Sequence, residues 1–167
     1  MDPIDDQSAM LKKDGAAFRK VDCNCWNHQK RIQECDSTSV DVQVLSTIPV
    51  LFSYWAKDDE GLMLSRFLND HIAKVVRNAP KRFIGLGTVP MQNIDLAIQE
   101  MDRCITELNL PGIEIGSNVN GKNLSEAEFH PIFEHAEKIG SSIFVHPWEM
   151  MGQADMQKYW LPWLVGM

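Results

Sequence analysis

At 167 residues, 44% apolar and 23% charged, the chain is long enough for a folded core and too short for a complete eight-fold β/α barrel, which needs ~250 residues. A net charge of −7 with no basic cluster argues against nucleic acid as a partner. No apolar run approaches the ~20 residues that span a bilayer, the first residues carry no signal-peptide core, and four cysteines do not make a disulfide framework, so a cytosolic setting is expected.

The first twenty-odd residues show little periodicity, and Lys13-Asp14-Gly15 reads as the tip of a small hairpin or excursion. Cys23-x-Cys25, even with His28 or Cys35 nearby, does not have zinc-finger or ribbon spacing. Asn27 is placed to cap a helix from His28 to about Cys35. Val40, Val42, Val44 and Leu45 follow as a strand. The loop 49–61, PVLFSYWAKDDEG, reads as buried packing that could also wall a pocket.

A helix is expected from Asp58 to about Asn78, with Leu64, Leu68, His71, Ile72 and Val75 on its inner face. Phe83–Thr88 is a strand whose glycines permit close approach. The next helix runs from Ile94 to about Leu108, with Ala97, Met101 and Cys104 inward and Glu100 and Asp102 in water. Gly112–Ile115 is a strand, and Ser125 with Glu128 reads as a capping box opening a helix that buries Phe129, Ile132, Phe133 and Ala136. His130 and His135 fall off that stripe and are expected in solvent. After Gly140, the run Ile143-Phe144-Val145 is a buried strand that Pro147 stops, leaving His146 at its carboxyl end. A further helix starts near Lys158.

Strict alternation with short connections implies parallel strands and right-handed crossovers. About four β/α units are present, so the chain is read as one incomplete (β/α)8 barrel domain over residues 1–167, without a first strand or a second half.

Four blocks carry a resemblance: LSTIPVLFSYWA at 45–56, NDHIAKVVRNAPKRFIGLGTVPMQ at 69–92, LPGIEIGSNVNG at 110–121, and FVHPWEM with KYWLPWLVGM. Together they resemble the metal-dependent decarboxylases of the amidohydrolase superfamily, and the first and last resemble the branch acting on 2-amino-3-carboxymuconate semialdehyde. The resemblance implies a TIM-like barrel with one Zn2+ at its carboxyl-end mouth. The family binds that metal with a His-x-His pair, a histidine after a middle strand and an aspartate after the last. His146 matches the middle-strand ligand, whereas no His-x-His occurs in this sequence. The family's catalytic histidine and its aspartate would lie beyond Met167, so no catalytic residue is assigned and the chain alone is expected to be inactive. Arg19 matches the family's substrate-carboxylate arginine, and Trp163 a pocket-lining residue; Phe18 and Met150 are lesser pocket candidates. The implied reaction is non-oxidative decarboxylation of a small molecule in tryptophan breakdown, limiting quinolinate, by a protein that can form homodimers. The alternatives are a truncated non-catalytic copy and a related decarboxylase of an aromatic carboxylate.

Overall fold

The computed structural model describes residues 2–13, 15–149, 152, 154–158 and 161. The chain divides into two compact units, Met1–Gln43 and Val44–Met167.

In the first unit, β1 (Asp2–Asp5), β2 (Ser8–Lys13) and β3 (Ala16–Asp22) form an antiparallel sheet in the order β1-β2-β3. The expected hairpin is therefore two strands of a three-stranded sheet, turning at Gly15 with φ +79°; Asp14 lies outside the described residues. Helix α1 (His28–Ser37) starts at Asn27, whose side-chain oxygen accepts from the Gln29 and Lys30 amides at 3.0 and 3.2 Å. That satisfies two of the amide groups a helix start leaves without partners. Cys23 and Cys35 are buried and Cys25 is exposed, all as free thiols.

The second unit carries the β/α alternation. Its strands and helices are β4 (Gln43–Leu45), α2 (Asp58–Asn78), β5 (Phe83–Gly85), β6 (Gly87–Thr88), α3 (Ile94–Thr106) and β7 (Gly112–Gly116). A small hairpin of β8 (Asn118–Val119) and β9 (Lys122–Asn123) follows, then α4 (His130–Ile139) and β10 (Ser142–His146). β4 pairs with β5, and β6, β7 and β10 form a parallel sheet in the order β10-β7-β6. Leu86, between β5 and β6, donates its amide to the Leu45 carbonyl at 2.8 Å, so the strands follow one another in chain order. β4 is shorter than the valine alternation suggests, because the Val40 amide bonds the Cys35 carbonyl at the end of α1.

Ile113 and Ile115 of β7 turn to the helices and join Ala97, Met101 and Cys104 of α3 and Ile132 and Ala136 of α4 in one core. Gly85 and Gly87 leave room for side chains of the helices rather than for backbone. A Cβ there would lie 2.5 Å from Ile72 and from the Cys104 sulfur, respectively. Burial pushes the Cys104 thiol up to about 12, which makes it an inert small hydrophobe.

Four side-chain expectations are corrected. The inner face of α2 is Gly61, Ser65, Asn69, Ile72 and Ala73, and His71 is exposed. The face is rotated because Asn69 is drawn inward: its amide nitrogen donates to the Thr88 carbonyl and to Glu100, while its oxygen accepts the Thr88 amide. Glu100 is fully buried instead of wet, because Arg66, Asn69 and Arg103 all donate to it. The capping box does not form. Lys122 takes Glu128 at 2.9 Å, and α4 begins at His130 after a tight turn over Ala127–Phe129. His135 is half-buried and pairs with Asp102 at 2.7 Å.

Candidate active site

His146 ends β10 directly opposite Gly116 of β7, at the carboxyl end of the parallel sheet. That is the end where α/β barrels place their chemistry. Its carbonyl accepts the Ser117 amide at 2.9 Å, which continues the ladder one step past the strand. Its Nδ1 lies 2.7 Å from the Pro147 carbonyl. A carbonyl can only accept, so Nδ1 carries a proton, and in the neutral ring Nε2 is the nitrogen with the lone pair. This is the arrangement metal-binding imidazoles use, with one nitrogen tied to an acceptor and the other free for the ion.

The segment after His146 is held by Ser117, which follows β7, and by Asn118 of β8. The Trp148 amide donates to Ser117 Oγ at 2.9 Å, and Asn118 Nδ2 donates to the Trp148 and Glu149 carbonyls at 2.6 and 3.1 Å. Trp148 meets Phe52 edge to face at 5.9 Å, and Phe52 stacks on Tyr54 at 5.5 Å. The loop after β4 thus reaches the carboxyl end of β7 through Phe52 and Tyr54, which are buried there as packing.

Two residues below the His146 pairing sits Glu114, paired in β7 with Thr88 on one side and Phe144 on the other. Residues paired in parallel strands project to the same face, so Glu114 shares the face of His146 and turns away from the helices. Glu114 is only 1% exposed; one carboxyl oxygen, Oε2, and the adjacent Thr88 hydroxyl have no partner among the described residues. Burial raises its carboxyl above the ordinary 4.5, opposed by a Ser46 hydrogen bond and, when the His146 ring is protonated, by the charge on that ring. An acid with a raised folded value binds more protons folded than unfolded. Its contribution to stability is full below about pH 4.5 and is lost as pH rises through the folded value. Glu114→Gln is expected to flatten the decline of stability with pH above that point, read from urea midpoints. An unchanged pH slope would contradict this.

Arg19 and Phe18 lie in the first unit on β3, both exposed, with the guanidinium carbon 5.8 Å from the Phe18 ring centre. Met150 and Trp163, and most of the helix expected near Lys158, lie outside the described residues. As a metal donor, His146 fits in tautomer and in place. The donor set does not suffice, since among the described residues no group of three or more His, Cys, Asp and Glu comes together, and catalytic metal sites need about three ligands. Glu114, Tyr54, Ser117 and Asn118 were not legible as site residues. Only the SYW of the loop gave a signal, as an aromatic cluster.

The amidohydrolase family model matches residues 23–159, and the chain belongs to that family. The four β/α units are accordingly part of a (β/α)8 barrel. The chain is 59% identical over 159 residues, 95% of its length, to the 2-amino-3-carboxymuconate-6-semialdehyde decarboxylase of Dictyostelium discoideum. Among solved structures it is similar to 5-carboxyvanillate decarboxylase from Sphingomonas paucimobilis, with 33% identity, 78% of this chain and 39% of that one covered, and a TM-score of 0.72. The corresponding enzyme of Novosphingobium aromaticivorans, solved with bound manganese, is 34% identical over 71% of this chain and 34% of its own, with a TM-score of 0.67. The chain spans 44% of the Dictyostelium relative's length.

Proposed function

We propose that this chain is part of a divalent-metal-dependent decarboxylase acting on 2-amino-3-carboxymuconate 6-semialdehyde and yielding 2-aminomuconate 6-semialdehyde and carbon dioxide. The observation that carries the reading is the 59% identity over nearly the whole chain, which exceeds the 33% to the carboxyvanillate enzyme. Zinc is the proposed metal, although a solved relative holds manganese. The wider reading places the complete protein in the cytosol, able to form homodimers, in tryptophan breakdown, where its reaction diverts material from quinolinate. No helix among the described residues is long and apolar enough to cross a membrane.

In this reading His146 offers its Nε2 lone pair to the metal. When bound, the metal supplies Lewis acidity at a substrate oxygen. The bond to the departing carboxylate breaks, its electron pair is stored in the substrate's conjugated enamine and aldehyde system, and a proton replaces it. Arg19 takes a substrate carboxylate through its planar two-pronged guanidinium, which stays charged throughout. Phe18, Met150 and Trp163 supply apolar and aromatic surface to the flat substrate.

The test is a hybrid polypeptide joining this chain to the remaining part of the Dictyostelium relative. Release of carbon dioxide from the aminocarboxymuconate substrate, and not from 5-carboxyvanillate, supports the reading; the reverse preference overturns it. In the same hybrid, Arg19→Ala is expected to raise KM about tenfold or more, the worth of a charge-assisted bond, and to leave metal content unchanged. Loss of metal on that substitution would contradict the carboxylate role.

A further inference from the structure

We propose that Tyr54 is a positioning residue for His146, acting through Gly116 and Trp148. The inference rests on the reading of His146 as a metal donor.

Along a strand in a parallel sheet, successive amides point to opposite neighbours. The Ser117 amide goes to His146 of β10, so the Gly116 amide faces the other side. There β6 has already stopped, its last residue, Thr88, being paired with Glu114. The Tyr54 hydroxyl takes the place of the missing strand and accepts the Gly116 amide at 3.0 Å. The carbonyl of Tyr54 is itself held, by Asn120 Nδ2 at 2.9 Å. Burial pushes the phenol above its ordinary value, so it stays neutral and can remain in this place.

The ring acts on the other side of the histidine. A Cβ on Gly116 would lie 3.2 Å from both the Tyr54 ring and Trp148, so both occupy the face onto which His146 projects. Tyr54 stacks on Phe52 with only 9° between ring planes, and Phe52 meets Trp148, two residues past His146. Tyr54 and Phe52 are each 3% exposed. One side chain therefore fixes the strand opposite His146 through its hydroxyl and the segment after His146 through its ring.

The experiment follows the His146 ring nitrogens and the Gly116 amide by NMR in the 167-residue chain. Wild type is expected to show protonated Nδ1 and bare Nε2. Tyr54→Phe, which keeps the ring, should speed Gly116 amide exchange at least tenfold and shift the His146 ring signals, with little change in the urea midpoint. Phe52→Leu, which keeps the hydroxyl, should shift the same His146 signals and serves if Tyr54→Phe does not fold. Unchanged His146 signals in a folded variant, whatever the midpoint does, would overturn the proposal, since a purely structural tyrosine changes stability alone. A Zn2+ titration of the wild-type hybrid polypeptide, in which the rest of the barrel would supply the further donors this chain lacks, separates the two readings. If the His146 signals do not respond to zinc but do respond to Tyr54→Phe, the metal role fails and the positioning stands.

Discussion

Replacing Glu100 by alanine is expected to cost about 3 kcal/mol of folding stability, near the lower end for breaking a buried ionic network. Glu100 lies on α3 and has no solvent exposure. It receives Arg66 Nε at 3.2 Å, Asn69 Nδ2 at 2.7 Å and Arg103 Nη2 at 2.8 Å. Arg103 also reaches Asp70 on α2 at 2.7 Å, and the Glu100 carboxylate, followed by Asp70, holds its guanidinium above the ordinary value. Removing the carboxylate leaves donors facing a cavity. The lower end applies because the Arg66 side chain is 45% exposed and can return to water, whereas Asn69 cannot. The loss also spreads, because Asn69 clamps both the amide and the carbonyl of Thr88 at the carboxyl end of β6. Urea unfolding measures this, and a loss below about 1 kcal/mol would mean that the network is worth no more than a surface pair.

His146→Ala in the hybrid enzyme is the second large effect. Changes to the partners of metal ligands already lower affinity or activity by about 10- to 100-fold, so loss of a ligand should exceed a hundredfold in turnover. Metal and activity should fall together. The substitution should leave the fold intact, since among the described residues the half-buried imidazole hydrogen-bonds the neighbouring Pro147 carbonyl alone, and the backbone bonds of His146 are unaffected.

What could be read from the chain and what could not divide along physical lines. The ends of α2 at Asp58 and Asn78 were readable because acidic residues open that helix and Pro80 follows it. His146 at the end of a strand was readable because Ile143-Phe144-Val145 is short, apolar and stopped by proline, but the strand is not buried as expected, with Phe144 and Val145 exposed. Glu100 was misread and Asn69 was passed over because a polar residue on a helix implies water unless its partners are known, and Arg66, Asn69 and Thr88 come together only in the fold. Glu100 meets Arg66 across 34 residues. The Tyr54 bond to Gly116 spans 62 residues and joins a hydroxyl to a backbone amide, which leaves no mark on either segment. Ser125 and Glu128 had capping-box spacing, but Lys122 offered Glu128 a nearer charge. The likeness to known decarboxylases rested on longer blocks and survived these local errors.

The central claim is that this chain contributes His146 as one ligand of a decarboxylase metal centre. It is tested most directly by counting metal in the purified hybrid, with and without His146. Close to one divalent ion per polypeptide is expected in the wild-type hybrid and almost none in a folded His146→Ala variant. Full metal retention in that variant would contradict it.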